Sequence, residues 1–287
     1  MKYRAIREHA DRFRIRLMCR ALKVAPAGYY AWRDRPESER MRANRGLLVH
    51  IRAIHAESRR TYGSPSIWDR LRQRGHGVGK HRVARLMRAH GIRAKTVKKW
   101  RATTDSTHAL PIAANDLDRQ FAVSAPNRVW AGDITYLWTD EGWLYLAVVL
   151  DLYSRAVIGW AMGARLTASL ATQALTMALW RRKPAKGLLH HSDRGVQYAS
   201  HDYQQRLADA GIRCSMSRKG NCWDNACVES FFASLKKELI HDARYATRED
   251  ATQDVFEWIE VFYNRQRRHT TLGYRSPAEF EAIMKVA

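Results

Sequence analysis

Three carboxylates stand where a carboxylate has to be explained. Asp133 interrupts an apolar, β-rich run, Val129-Trp130-Ala131-Gly132-Asp133-Ile134-Thr135-Tyr136. An ionised side chain inside such a strand costs free energy unless it is paired, hydrogen-bonded or bound to a metal. Asp193 follows a second apolar run, in His190-His191-Ser192-Asp193-Arg194-Gly195, at the carboxyl end of a strand, where open α/β sheets place their sites. Glu229 lies at the edge of a helical stripe made by Val228, Phe231, Phe232, Leu235 and Leu239, with 35 residues between it and Asp193. Three converging carboxylates with few soft ligands nearby suit hard, oxygen-binding ions, Mg²⁺ or Mn²⁺. Two such ions about 3.5–4 Å apart can activate a nucleophile and stabilise the leaving oxygen of a phosphodiester. Each residue also has a plainer reading: Asp133 paired with a buried arginine, Asp193 a turn residue before Gly195, Glu229 an ordinary acid on a helix surface. Asp151 is a rival carboxylate that a turn before Ser154-Arg155 already explains.

The elements that must position these residues follow from periodicity and turn chemistry. Strands are expected at Val129 to Trp138, Trp143 to Leu150 and Ala156 to Met162, with a hairpin at Thr139-Asp140-Glu141-Gly142. A helix from Thr167 to Arg182, a strand from Gly187 to His191, a helix from Ser200 to Ala210 and a strand from Ile212 to Ser217 come next. A loop at Lys219 to Trp223 then opens a helix from Asp224 to Ile240. The order βββαβαβα describes a mixed five-stranded α/β sheet flanked by helices. Upstream the grammar is all-α. Residues 1–43 form a basic helical segment with Ile6, Phe13, Leu17 and Leu22 at helical spacing. Residues 44–100 hold helices at Leu47 to Glu57, Ser66 to Gln73 and Lys80 to His90. In the last of these Val83, Leu86 and Met87 face inward, and Arg82, Arg85 and Arg88 lie on the remaining face. Short helices joined by a glycine turn, with arginines on the second, outline a helix-turn-helix that meets DNA; a plain helical bundle with solvated arginines has the same outline. Residues 101–122 read as a linker, 123–240 as the catalytic core and 241–287 as a helical tail.

Charge follows the same division. The 287-residue chain carries 50 Lys and Arg against 28 Asp and Glu, a net of +22. Residues 1–120 hold 29 basic and 10 acidic residues, while residues 121–287 hold 21 and 18. A basic arm on a nearly neutral globular part points to a polyanion such as nucleic acid. The length allows about two domains. No apolar run approaches the roughly 20 residues of a spanning helix, and no secretory signal opens the chain. Cys19, Cys214, Cys222 and Cys227 make neither a disulfide framework nor a zinc pattern; the expected compartment is the cytoplasm.

With these residues in place, the chain resembles the DDE integrase/transposase core on a ribonuclease-H-like fold. Its local strings are similar to the second-frame transposases of insertion-sequence family three. The resemblance rests on Trp130-Ala131-Gly132-Asp133-Ile134-Thr135, on His191 to Tyr198, on Ser217 to Ala226, on Glu229-Ser230-Phe231-Phe232 with Leu235-Lys236, and on Tyr263 to His269 continuing to Leu272-Gly273-Tyr274-Arg275-Ser276-Pro277. Gly28-Tyr29-Tyr30-Ala31-Trp32 and the block 44–95 match as well.

The resemblance implies a Mg²⁺-dependent transposase with Asp133, Asp193 and Glu229 as catalytic and metal-binding residues. It implies two ions, with Asp133 bridging them. Lys236, seven residues after Glu229 on the same helix face, would contact element-end DNA, and Asn225 would hold substrate or a water. Tyr263, Asn264, Arg267 and His269 form a basic-aromatic family signature that either binds DNA, with Arg267 and His269 as the contacts, or packs the core. His190 or His191 could orient Asp193. The implied reaction cuts an insertion-sequence end with water, then joins the freed 3′-OH to DNA by transesterification without a protein nucleophile. Partners would be element-end and target DNA, further copies of the chain, and an upstream-frame protein or its fused form. Two rivals share part of this pattern: a ribonuclease-H-type nuclease that never joins strands, and a catalytically silent DNA-binding regulator.

Overall fold

The computed structural model describes residues 1–95, 110–219 and 221–284. The expected linker residues 101–109, the last residues of the 44–100 block and Gly220 lie outside the described residues.

A five-stranded sheet in the order β3-β2-β1-β4-β5 forms the centre of the molecule. β1 (Val129–Thr139), β2 (Gly142–Asp151) and β3 (Val157–Gly163) make an antiparallel meander, while β4 (Leu189–Ser192) and β5 (Arg213–Met216) run parallel to β1. The expected strands are all present within two residues at each end. Gly142 closes the β1–β2 hairpin at φ 106°, a conformation that side-chain-bearing residues avoid.

Strand alternation sends side chains into two layers. One face of the sheet packs on α7 (Ala168–Arg182), α8 (Val196–Ala199) and α9 (His201–Asp209), through Trp130, Val149, Ile158, Leu175 and Tyr203. The other packs on α10 (Ala226–Glu238) and on α11 (Arg248–Glu257), which continues as a π-helical turn through Trp258–Tyr263. Leu146, Val148, Phe231, Trp258 and Tyr263 fill that layer. α11 starts on a capping box between Thr247 and Asp250. The short α8 was not legible from periodicity.

The N-terminal part is helical throughout: α1 (Lys2–Glu8), α2 (Ile15–Ala21), α3 (Pro26–Arg33), α4 (Glu39–Glu57), α5 (Ser64–Gln73) and α6 (Lys80–Ala89). α4 begins at Glu39 behind its Ser38 cap, eight residues before the expected start, because its first two turns are mostly polar. Ile51, Ile54, Ile67, Leu71, Val83, Leu86 and Met87 form one small core. Ile6, Cys19 and Tyr29 form another, while Phe13 and Leu17, apolar residues at helical spacing, are 56% and 58% exposed. The break after α1 rotates them out of register with Ile6.

Residues 110–122 do not span free space. Leu117 is buried in the sheet core, the backbone N–H groups of Asp116 and Leu117 donate to Ser215 Oγ, and Arg119 reaches Asp224. Among the described residues no helix is long and apolar enough to cross a membrane.

Candidate active site

The pairing of β1 with β4 ends at Ala131 and His191. Two residues further along each of these parallel strands stand Asp133 and Asp193, so the register itself brings the two aspartates to one place. Asp133 points to the same face as Ala131 and Leu137, the face that α10 covers with Val228, Phe231 and Leu235. Glu229 sits in the first turn of α10 and is exposed.

The electrostatics record this convergence. Asp133 has its pKa raised well above the usual carboxylate range, first by burial and then by the negative charges of Asp193 and Glu229, with Lys236 and the Ile134 N–H opposing. Glu229 is raised by desolvation. Lys236 is lowered by desolvation and held up by Asp133. Its Nζ stands 5.3 Å from the centre of the Tyr136 ring.

Backbone contacts fix the carboxylates. Asp133 Oδ1 accepts from the Ile134 N–H at 2.8 Å, and Asp193 Oδ1 accepts from the Gly195 N–H at 2.9 Å. Asp224 anchors the loop that launches α10. Fully buried, it accepts from Arg218 Nε and Nη2, Arg119 Nε, Asn115 Nδ2 and the Arg218 N–H at 2.8–2.9 Å. These bonds, Arg218 foremost, hold its carboxyl far below the usual range. The adjacent Asn225 donates from Nδ2 to the Gly132 carbonyl at 3.2 Å, tying the start of α10 to β1 one residue before Asp133.

Several sequence expectations land elsewhere. His190 and His191 do not orient Asp193. His191 bridges Ser215 at 2.9 Å and Ser217 at 3.1 Å, and His190 Nε2 meets Tyr203 Oη at 3.1 Å. Burial holds both rings neutral, at about 4 and about 3 respectively. Arg267 and His269 make protein contacts, the core-packing alternative of the two held open from sequence. Arg267 makes a forked ion pair with Glu238 at 2.7–3.0 Å, with side chains only 18% and 6% exposed. His269 stands edge-on to Tyr263, and burial lowers its pKa to about 3. Asn225 is 5% exposed, so its geometry is that of a positioning residue. Arg85 and Arg88 are exposed on α6, whereas Arg82 donates to Asn44 at 2.8 Å. Asp151 is a turn residue, accepting from the N–H groups of Asn127 and Tyr153.

Two residues of the site were missed from sequence. Asp224 carried a signal, an acid directly before a helix and close to Arg218. Tyr198 carried none that periodicity could register: its buried ring lies in the charge field of both aspartates.

Whether the residues fit a divalent cation can be judged from the donors. Among the described residues no group of three or more His, Cys, Asp or Glu side chains stands close enough together to hold a metal ion by itself. The donor set is nevertheless hard oxygen throughout, and Asp133 carries a charge that its aspartate and glutamate neighbours oppose. Asn225 Oδ1 is buried without a hydrogen-bond partner beside β1. Mg²⁺ is commonly held by one or two carboxylates together with waters and substrate phosphates, without an all-protein cage. The residues fit such a cation.

Comparison with known proteins covers nearly the whole chain. Two family models described as an integrase core domain match residues 123–222 and 210–277, and one described as an HTH-like domain matches residues 42–100. Solved structures similar to the chain include the catalytic core domain of HTLV-2 integrase in complex with magnesium, at 18% identity, covering 54% of this chain and 97% of that one with a TM-score of 0.43. The simian T-cell lymphotropic virus intasome aligns at 18% identity over 80% of this chain and 74% of that one, with a TM-score of 0.47. The insertion element IS600 uncharacterized 31 kDa protein of Shigella sonnei is 46% identical over 92% of this chain and 97% of its own length. Transposase InsF for insertion sequence IS3A of Escherichia coli (strain K12) is 49% identical over 283 residues, 98% of each chain. With its helix-turn-helix-like block, its integrase core and a near full-length match at that identity, the chain belongs to the transposases of the IS3 insertion-sequence family.

Proposed function

We propose that this transposase cuts the ends of its insertion sequence and joins the freed 3′-OH to DNA by phosphoryl transfer at Asp133, Asp193 and Glu229. The observation that carries the reading is the convergence of the two aspartates two residues beyond the last paired residues of the parallel strands β1 and β4, beside a helix that supplies the glutamate. Asp133, Asp193 and Glu229 would hold two Mg²⁺ or Mn²⁺ ions. Such ions, when bound, lower the pKa of an attacking water or hydroxyl and offset charge on the leaving oxygen.

The chain's own groups do the rest. Asp224 and Asn225 fix the start of α10 against β1, which sets where Glu229 stands relative to Asp133. The Gly195 N–H aims Asp193. Lys236, beside Asp133, supplies a cation to a substrate phosphate. Residues 44–100 would dock on DNA through Arg85 and Arg88, with element-end and target DNA as partners. Further copies of the chain would bring two ends together, with the upstream-frame product as an additional partner in the bacterial cytoplasm.

The test is strand joining with labelled element-end DNA and Mg²⁺, comparing the native chain with Asp193→Asn and Glu229→Gln. Joined products from the native chain and none from either variant are expected. Cleavage without joining would support a ribonuclease-H-type nuclease, and binding without chemistry in every form a silent DNA-binding regulator.

A further inference from the structure

Three large aromatic side chains are left open on the β1–β2 hairpin: Tyr136 is 41% exposed, Trp138 57% and Trp143 44%. Cross-strand register sets Tyr136 opposite Tyr145 and Trp138 opposite Trp143. The rings form a ladder of edge-to-face contacts, with centroids 4.9 Å apart for Tyr136–Trp143 and 4.8 Å for Trp138–Trp143, at interplanar angles of 82° and 80°. Neither sheet layer explains their exposure. α7 packs on β2 and β3, yet the three rings stay exposed.

The ladder starts three residues after Asp133, about 10 Å along the strand and on the opposite sheet face, along the stretch of β1 that has no β4 residue paired to it. Lys236 links the two features, since its ammonium lies over the Tyr136 ring and in the field of Asp133. At the far tip, Arg244 and Arg248 are engaged by Asp140 and Glu141. The cation of the ladder is therefore placed at the end nearest the carboxylates.

We propose that this ladder is a stacking platform for unpaired nucleobases next to the phosphate under attack, so that the enzyme binds a frayed DNA end in preference to a fully paired one. The inference rests on the proposed function of the neighbouring carboxylates and adds to it a subsite and a substrate form. A paired base has both faces stacked within the duplex, whereas an unpaired base offers a π-face to an aromatic ring. Base–aromatic stacking is sequence-tolerant and accounts for much of single-strand affinity elsewhere. A strand whose phosphate lies between Lys236 and Asp133 brings its adjoining base to Tyr136 and Trp143.

The experiment uses the full chain and two forms of the same element-end DNA, one fully paired and one with mismatched terminal pairs. Each carries 2-aminopurine at an end position. The native chain is expected to bind the mismatched form about tenfold more tightly and to quench its fluorescence by stacking. In Trp138→Ala and Trp143→Ala the ratio between the two forms should fall towards one, and Trp143→Phe, which keeps a ring, should retain most of it. Equal affinity of the native chain for both forms, or an unchanged ratio in both alanine variants, would overturn the proposal. So would a loss of self-association in those variants without a change in the ratio, which would assign the ladder to a second copy of the chain. The native quenching signal does not depend on any variant folding. Strand joining scored in the same native samples separates the two readings: a mismatch preference without joining would reject the function and keep the platform, and joining without a preference the reverse.

Discussion

Asp133 and His269 show how one physical term, desolvation, serves opposite ends. At Asp133 burial and two neighbouring carboxylates oppose ionisation, which makes the position a place for a cation. At His269, and likewise at His190, burial keeps an imidazole neutral, at about 3 in both cases, inside the packed protein. The consequence for pH has a definite sign. Unfolded histidine titrates near 6.5, so between that value and about 3 the unfolded chain binds protons that the native chain refuses. This stability is complete above about pH 6.5 and is lost as the pH falls. Asp133 acts in the other direction, because its native pKa is raised and acid relieves it. Urea unfolding at pH 7 and pH 5 should show a loss on the order of 1–2 kcal/mol per buried histidine at the lower pH, and His269→Gln should flatten that dependence. Equal midpoints at both pH values would contradict the assignment of these rings as neutral and buried.

At the level of elements, the site depends on how closely β3, β2 and β1 are held to their helices. A Cβ on Gly159 in β3 would stand 2.2 Å from the Ala174 carbonyl oxygen and 2.8 Å from the Ala178 nitrogen of α7, both backbone atoms that cannot rotate aside. Gly159→Ala should therefore cost about 2 kcal/mol or more, read as a lower denaturant midpoint, while Gly46→Ala, where nothing lies within 4 Å, should not. The strands and the main helices of the core were legible because their apolar runs are long and bounded by turn residues. Asp133, Asp193 and Glu229 were legible because each is an acid at the edge of an apolar pattern. The role of Arg267 and His269 stayed open between DNA and the core for a physical reason. A basic-aromatic cluster looks the same whether its charge meets DNA or a partner such as Glu238, which lies 29 residues away in sequence.

At the scale of the whole molecule, the C-terminal tail joins the two ends of the chain. Tyr62 Oη accepts from the Arg268 N–H at 2.9 Å and donates to the Gln266 carbonyl at 3.3 Å. Arg268, its side chain 5% exposed, reaches Asp69 and Glu279 at 3.6 Å each. Arg59 pairs with Glu257 at 2.7 Å, and Lys95 with Asp242 at 2.8 Å. The helix-turn-helix-like block is thereby clasped to the layer that carries α10, which relates its exposed arginines to the carboxylates. Removing one partner of a buried pair leaves an uncompensated charge. Arg268→Met should cost about 3–5 kcal/mol, part of it recovered when Asp69→Asn is added. A loss that stays the same in the double variant would mean that Asp69 and Arg268 are not energetically coupled.

If Asp133, Asp193 and Glu229 gather one divalent-cation site, a redox-active metal bound there will cleave the protein backbone beside each of them. With Fe²⁺ in place of Mg²⁺ and an element-end DNA present, peroxide and ascorbate generate hydroxyl radicals at the metal, which cut the chain nearby. The account predicts three clusters of cuts, around residues 133, 193 and 229, competed away by Mg²⁺ and absent in Asp133→Asn. Cuts confined to other segments, or an unchanged pattern in that variant, would contradict it.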